Sequence, residues 1–155
     1  MPEFRDVTAE NVRAICELQI APHQKGLVSP AAYTLAESAF EAGAHVRAIY
    51  DGAKLAGLLA LIDTRQPCGD REIRRDAAYL WRLLIAEAHQ GKGHGGAAIA
   101  EALRVARDWG FDKLTLSVAN RPDAAVPFYQ RHGFRLTGRG LYGGEEREML
   151  RDLAV

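Results

Sequence analysis

Cysteine is scarce: Cys16 and Cys68 are the only two in 155 residues. Two thiols without metal-ligand spacing exclude a disulfide framework and predict reduced thiols in a cytoplasmic protein. An excess of charge of one sign is also absent. Twenty Lys and Arg balance twenty Asp and Glu, so net charge gives no reason to expect a nucleic-acid or membrane partner. The longest apolar run, residues 55–62, is far too short to cross a bilayer. Met1-Pro2-Glu3-Phe4-Arg5 lacks the apolar region of a secretion signal. The five histidines show no H-E-x-x-H or similar spacing, and no metal is implied. Repeats and low-complexity stretches are missing too. What is present, 48% hydrophobic and 26% charged residues, describes a globular chain long enough to bury one core, so residues 1–155 read as a single domain.

Apolar patterning alternates strands with helices. Phe4-Arg5-Asp6-Val7 predicts a first strand, and Thr8 predicts the cap of a helix running to about Leu18. Residues 21–26 read as a loop. Thr34-Leu35-Ala36-Glu37 has the form of a capping box, which predicts a helix from there to near Gly43 and gives Glu37 a structural role. Residues 46–50 and 55–62 flank Asp51-Gly52-Ala53-Lys54, a hairpin signal. Residues 64–76, with Pro67, Gly69 and many charges, predict a mobile surface loop. Tyr79-Leu80-Trp81-Arg82-Leu83-Leu84-Ile85 fits a largely buried strand. Further on, Ile99, Ala102, Leu103 and Ala106 recur at helical spacing opposite Glu101, Arg104, Arg107 and Asp108. A strand at 114–118, a helix around Tyr129 and a last pair of strands from Phe134 and about Arg147 complete the chain.

Between the strand at 79–85 and the following helix lies Gln90-Gly91-Lys92-Gly93-His94-Gly95-Gly96. Side chains nearly vanish where the helix begins. Its unpaired N–H groups and positive dipole end are thereby exposed to a closely approaching anion, the requirement for a phosphate cradle. Two familiar cradles fail on spacing. A P-loop needs Gly-Lys-Ser/Thr, but Gly91-Lys92 is followed by Gly93, and Glu87 stands where the first Gly should be. Gly91, Gly93 and Gly96 match G-x-G-x-x-G literally. However, five residues separate Gly91 from the strand, and the next strand ends in Ala119-Asn120 without a ribose-binding carboxylate.

A third pattern fits. Gln90-x-x-Gly93-x-Gly95 resembles the acetyl-CoA motif of the GNAT family of N-acetyltransferases. Ala125-Val126-Pro127-Phe128-Tyr129-Gln130-Arg131-His132-Gly133-Phe134 resembles that family's second signature, a helix carrying Tyr and ending at Gly-Phe. One helix and one strand separate the two, as in the family, and the resemblance covers essentially the whole chain. It implies an α/β GNAT fold: a single mixed, mostly antiparallel sheet of about six to seven strands, flanked by about four helices, with splayed central strands at the acetyl-CoA site. It further implies acetyl-CoA as donor, a small-molecule amine as acceptor, and room for a homodimer. Tyr79-Leu80-Trp81-Arg82 with Gln24 and Val28 looks most like the diamine and polyamine acetyltransferase branch.

Acetyl transfer needs a neutral amine, a positioned thioester, support for an oxyanion and stabilisation of a leaving thiolate. By resemblance, the pyrophosphate lies on N–H groups from Gly91 to Gly96, including those of Lys92, Gly93, His94 and Gly95, after Gln90. Gly93 and Gly95 are expected to be bare because a Cβ would hold the phosphate off, while Lys92 and His94 alternate outward. The backbone of Leu83, Leu84 and Ile85 pairs with pantetheine, and the Tyr129 phenol points at the sulfur. Two departures stand out. Pro122 replaces the asparagine often found seven residues before the tyrosine, leaving Asn120 two positions earlier as the candidate. Pro127 falls near the start of its helix, which therefore starts late or bends. Trp81 occupies a position where polyamine acetyltransferases often carry a carboxylate, so the base must be water or another group. Tyr79, Trp81 and Leu83 share one strand face by alternation, with Ile85 following unless a bulge intervenes. Tyr79 and Trp81 either form an aromatic wall for an ammonium or belong to the core. Glu37 is a candidate partner for that cation, and Gln24 is implied by resemblance alone. The expected activity is direct attack of a primary amine on acetyl-CoA. The alternatives are a protein or peptide N-terminal acetyltransferase and a non-catalytic acyl-CoA-binding module.

Overall fold

The computed structural model describes residues 1–27 and 29–153, so Val28 lies outside the described residues. Among the described residues seven strands form one sheet: β1 (Glu3–Asp6), β2 (Ala44–Asp51), β3 (Lys54–Ile62), β4 (Ala78–Ile85), β5 (Lys113–Ala119), β6 (Arg135–Leu141) and β7 (Glu146–Asp152). Their order is β1-β2-β3-β4-β5-β7-β6, and every neighbouring pair is antiparallel except β4 with β5. Four α-helices among the described residues, α1 (Val12–Cys16), α2 (Ala31–Ser38), α3 (His94–Asp108) and α4 (Val126–Arg131), complete the expected mixed α/β fold. No helix among the described residues is long and apolar enough to cross a membrane.

A parallel pair needs a crossover, and α3 supplies it. Its apolar stripe, Ala98, Ile99, Ala102, Leu103 and Ala106, is buried with Leu59, Leu61, Leu80, Leu114 and Leu116 of the central strands. On its outer side Arg104 bridges Glu101 and Asp108 at 2.8 and 2.7 Å. The opposite sheet face packs Ile15 and Ala31 of α1 and α2 against Ala48, Leu58 and Leu84.

Two irregularities in β4 create the site. Against β3, Leu80 opposes Leu61 and Arg82 opposes Ala60, which leaves Trp81 as the extra residue of a β-bulge. The bulge reverses the alternation. Ala78 and Leu80 belong to the α3 side and Tyr79 and Trp81 to the other, whereas beyond it Leu83 and Ile85 pack on the α3 side. Leu83 therefore does not share a face with Tyr79 and Trp81, contrary to simple alternation. Against β5, β4 pairs only at Ala78 with Leu114 and Tyr79 with Thr115, and the two strands then diverge. The central strands are splayed.

Three local expectations are corrected. The first helix is short because Asn11 takes over its entry: the Thr8 N–H donates to Asn11 Oδ1 at 2.7 Å, and Asn11 Nδ2 donates to the Asp6 carbonyl. The capping box is not formed. Pro30 precedes the first turn of α2, so Thr34 and Glu37 lie inside the helix; Thr34 is buried, and Glu37 is free to approach Arg82 at 3.7 Å. Residues 64–76 lie at the surface as expected but are anchored there rather than free. Thr64 Oγ1 donates to the Ala77 carbonyl at 2.6 Å, Cys68 and Ile73 are buried with Trp81, and Arg71 donates to Glu41 at 2.6 Å.

Candidate active site

The glycine turn is tied to β4 by one side chain. Gln90 Nε2 donates to the Ile85 carbonyl at 3.0 Å and to Gln24 Oε1 at 2.8 Å. Gln24 thus stands on the glycine-turn side rather than among acceptor residues. Gly91 (φ 74°) and Gly93 (φ 82°) adopt left-handed backbone, and Gly93 caps α3. Among the described residues nothing lies within 4 Å of a Cβ placed on either, so their glycine requirement is conformational. At Gly95 and Gly96 the requirement is packing: a Cβ would come within 3.0 Å of the Phe128 ring and 3.1 Å of His132. Helix α4 rests directly on the start of α3. The first helical bond runs from the Ala97 N–H to the Gly93 carbonyl at 3.1 Å, which leaves the N–H groups of His94, Gly95 and Gly96 for an outside acceptor. Lys92 is exposed as expected, but His94 is buried and points inward.

Two clefts meet at Tyr129. The first runs along the glycine turn and is lined by Leu83, Ile85, Gln90, Phe128 and Tyr129. The second, of about 310 Å³, opens in the splay between β4 and β5 and is lined by Trp81, Arg82, Ser117, Glu145, Glu146 and again Tyr129. That volume suits a small molecule. Pro127 sits at the start of α4, where no donor is needed, so the helix starts late and does not bend. Burial pushes the Tyr129 phenol up to about 12, with the field of Tyr79 adding to the shift.

The second cleft continues into a third, rich in carboxylates: Glu37, Glu41, Asp70, Glu145 and Glu146, with Arg71 and Arg82. A hydrogen-bonded chain crosses its floor. Tyr79 Oη pairs with Ser117 Oγ at 2.7 Å, and Ser117 Oγ donates to Glu146 Oε1 at 2.5 Å. Burial dominates the Tyr79 phenol and pushes it up to about 12, although the Ser117 bond opposes this. Trp81 is buried, and guanidiniums of the protein itself stand over its ring: Arg71 at 4.8 Å and Arg82 at 5.3 Å from the centroid. Its ring is packed among core residues and already carries two cation partners from the protein itself. Leu84 faces the α1 and α2 side, away from both clefts. Asn120 is committed elsewhere, donating from Nδ2 to the Gly144 carbonyl at 2.9 Å. Sequence reasoning missed Ser117, Arg82, Glu41, Glu145 and Glu146. The only trace of the last two was the adjacent acidic pair after Gly143-Gly144.

A family model described as the acetyltransferase (GNAT) family matches residues 12–134. Among curated proteins, human N-acetyltransferase 8B is 30% identical over 76 residues, which cover 49% of this chain and 34% of that protein. The match thus spans about a third of that relative's length. Among solved structures, an acetyltransferase from Thermus thermophilus superposes with TM-score 0.73 at 21% identity, covering 98% of this chain and 97% of its own. The PaiA N-acetyltransferase of Thermoplasma acidophilum, in complex with coenzyme A, gives TM-score 0.71 at 16% identity over 98% and 99% of the two chains. With its splayed sheet, its bare helix start and a family match across most of its length, the chain belongs to the acetyltransferase (GNAT) family.

Proposed function

We propose that the protein transfers the acetyl group of acetyl-CoA to a small primary amine that arrives as a cation, with polyamines as the first class to test. The carboxylate-rich cleft that adjoins the one at Tyr129 through Arg82, Glu145 and Glu146 carries this reading. Glu37, Glu41, Asp70, Glu145 and Glu146 outnumber Arg71 and Arg82, and Arg71 is already paired with Glu41. The excess negative charge suits an ammonium.

In the reaction, the pyrophosphate rests on the free N–H groups at the start of α3, each contact contributing roughly 0.3–1 kcal/mol. The pantetheine arm follows the open edge of β4 past Leu83 and Ile85, as an added strand would. The acceptor enters from the carboxylate side, loses a proton to Glu146 or to water, and attacks the thioester carbonyl. The tetrahedral intermediate gives up its extra nitrogen proton to water and collapses with cleavage of the C–S bond; the leaving thiolate accepts a hydrogen bond from Tyr129 and then takes a proton from solvent. Glu146 thereby takes the place of the carboxylate missing at Trp81. The free thiols of Cys16 and Cys68 support a cytoplasmic location.

An acceptor panel scored by CoA release, running from polyamines through amino acids to peptides, tests the proposal. The expected result is turnover of small amines at a rate that rises with pH through neutrality, because amines with pKa near 10 are mostly charged there. Glu146→Gln is expected to raise the acceptor KM. Strong activity confined to peptide α-amines, or unchanged acceptor kinetics in Glu146→Gln, would overturn the reading and favour an N-terminal acetyltransferase.

A further inference from the structure

We infer that Asp51, His89 and His94 form a binding site for a divalent transition metal of the zinc type, behind the glycine turn. The three come from separate elements: Asp51 from the end of β2, His89 from the 3-10 turn Glu87–His89, and His94 from the first position of α3. One ligand atom of each lies within 4.8 Å of the others. His94 Nε2 is 3.4 Å from Asp51 Oδ2, and His89 Nδ1 is 3.9 Å from the same oxygen. The two imidazole rings stand 6.1 Å apart, centre to centre.

The unusual feature is what these rings leave undone. The His94 side chain is 7% exposed, yet neither of its nitrogens makes a hydrogen bond among the described residues. Its approach to Asp51 is short but misaligned. His89 Nδ1 is likewise buried and unpartnered. Buried polar atoms are almost always satisfied, and two orphans converging on one carboxylate, His94 Nε2 and His89 Nδ1, call for an explanation. An apolar residue at position 94 would fill the same space without that penalty. Two imidazoles and one carboxylate make up a ligand set that zinc uses with a fourth position left open.

The spacing is close to what coordination needs. A tetrahedral ion about 2.0–2.1 Å from each ligand sets neighbouring ligand atoms roughly 3.3 Å apart. His94 and Asp51 already meet this. His89 Nδ1 must approach Asp51 by roughly 0.6 Å, and the widest gap, between the two imidazoles, must close by roughly 1.5 Å, which takes a ring rotation as well as a shift of the half-exposed Asp51. An ion there would tie the β2–β3 hairpin, the 3-10 turn and the start of α3 into one unit. The positive end of the helix opposes a cation, and the Asp51 charge offsets it.

The test uses the full chain after chelator treatment, titrated with Zn2+ by calorimetry and with Co2+ by visible absorption. One equivalent of Zn2+ is expected to bind. A Co2+ spectrum of a four- or five-coordinate site is expected, with a rise in Tm of about 5 °C at a hundredfold excess over Kd. Asp51→Asn and His89→Gln should each weaken Zn2+ binding at least tenfold or so. His23→Gln, a substitution of an exposed histidine elsewhere, should leave it unchanged. No saturable binding, binding unaffected by both Asp51→Asn and His89→Gln, or binding lost in Cys16→Ser would overturn the inference and leave an imidazole–carboxylate contact only. If either variant fails to fold, the wild-type Co2+ spectrum and the other variant still decide.

Discussion

Tyr129 reaches the meeting point of the two clefts from a helix of six residues, and burial raises its phenol to about 12. A thiol titrates near 8.5, so full proton transfer to the departing thiolate is uphill by about 5 kcal/mol. A neutral phenol whose hydrogen bond strengthens as charge gathers on sulfur fits that gap. Tyr129→Phe is expected to lower kcat about 10²-fold and to leave acetyl-CoA affinity nearly unchanged, as read by rapid-mixing kinetics with chemistry rate-limiting. Equal kcat in the two proteins would remove Tyr129 from the reaction. Gln90 and Tyr129 stand out in the sequence through their resemblance to family motifs, and Gly93 through the bareness of its turn, although the structure gives its glycine a conformational reason, the left-handed cap of α3. Glu146 and His94 do not. Glu146 comes to the cleft because β7 lies beside Ser117, and His94 turns inward to meet Asp51, some forty residues earlier.

At the scale of elements, strand β4 was legible in its extent but not in its phase. A bulge adds one residue without changing composition, so no apolar pattern announces that Trp81 is the extra one. The same insertion turns Tyr79 and Trp81 toward residues 64–76, whose Cys68 and Ile73 complete that cluster. A segment that composition reads as free thereby acquires an anchor. Trp81→Ala is expected to lower Tm by roughly 10 °C or more through the cavity left beneath this segment. A thermal melt shifted by less than about 2 °C would show that the segment is held by its ion pairs instead. Helix α2 carries a similar lesson. Thr34-Leu35-Ala36-Glu37 has the letters of a capping box, but Pro30 starts the helix a turn earlier, and Glu37 is released to face Arg82.

Across the whole molecule, one buried carboxylate links distant parts of the chain. Glu148 on β7 is 2% exposed and accepts hydrogen bonds from Arg74 Nε at 2.9 Å, Thr137 Oγ1 at 2.7 Å and Arg139 at 3.2 Å. Burial alone would raise its pKa, but these donors together outweigh it and hold the group below its ordinary value of 4.5. A depressed folded pKa means that the stabilisation is present above the unfolded value and is lost as pH falls through the folded one. Glu148→Gln is expected to cost about 1–3 kcal/mol at neutral pH, with the gap to wild type shrinking as pH drops below about 4. Denaturant titrations at several pH values check this, and a constant gap would exclude a charged role.

The meagre contact between β4 and β5 has a further consequence. Two register pairs alone join a half-sheet of four strands to a half-sheet of three, and α3 packs across the seam. Amide exchange should therefore be uneven along β4. The N–H groups around Tyr79 should exchange slowly, and those facing the cleft beyond Leu80 quickly. Bound acetyl-CoA would act as the missing eighth strand and slow the second set selectively, so the donor substrate would complete the sheet that it uses.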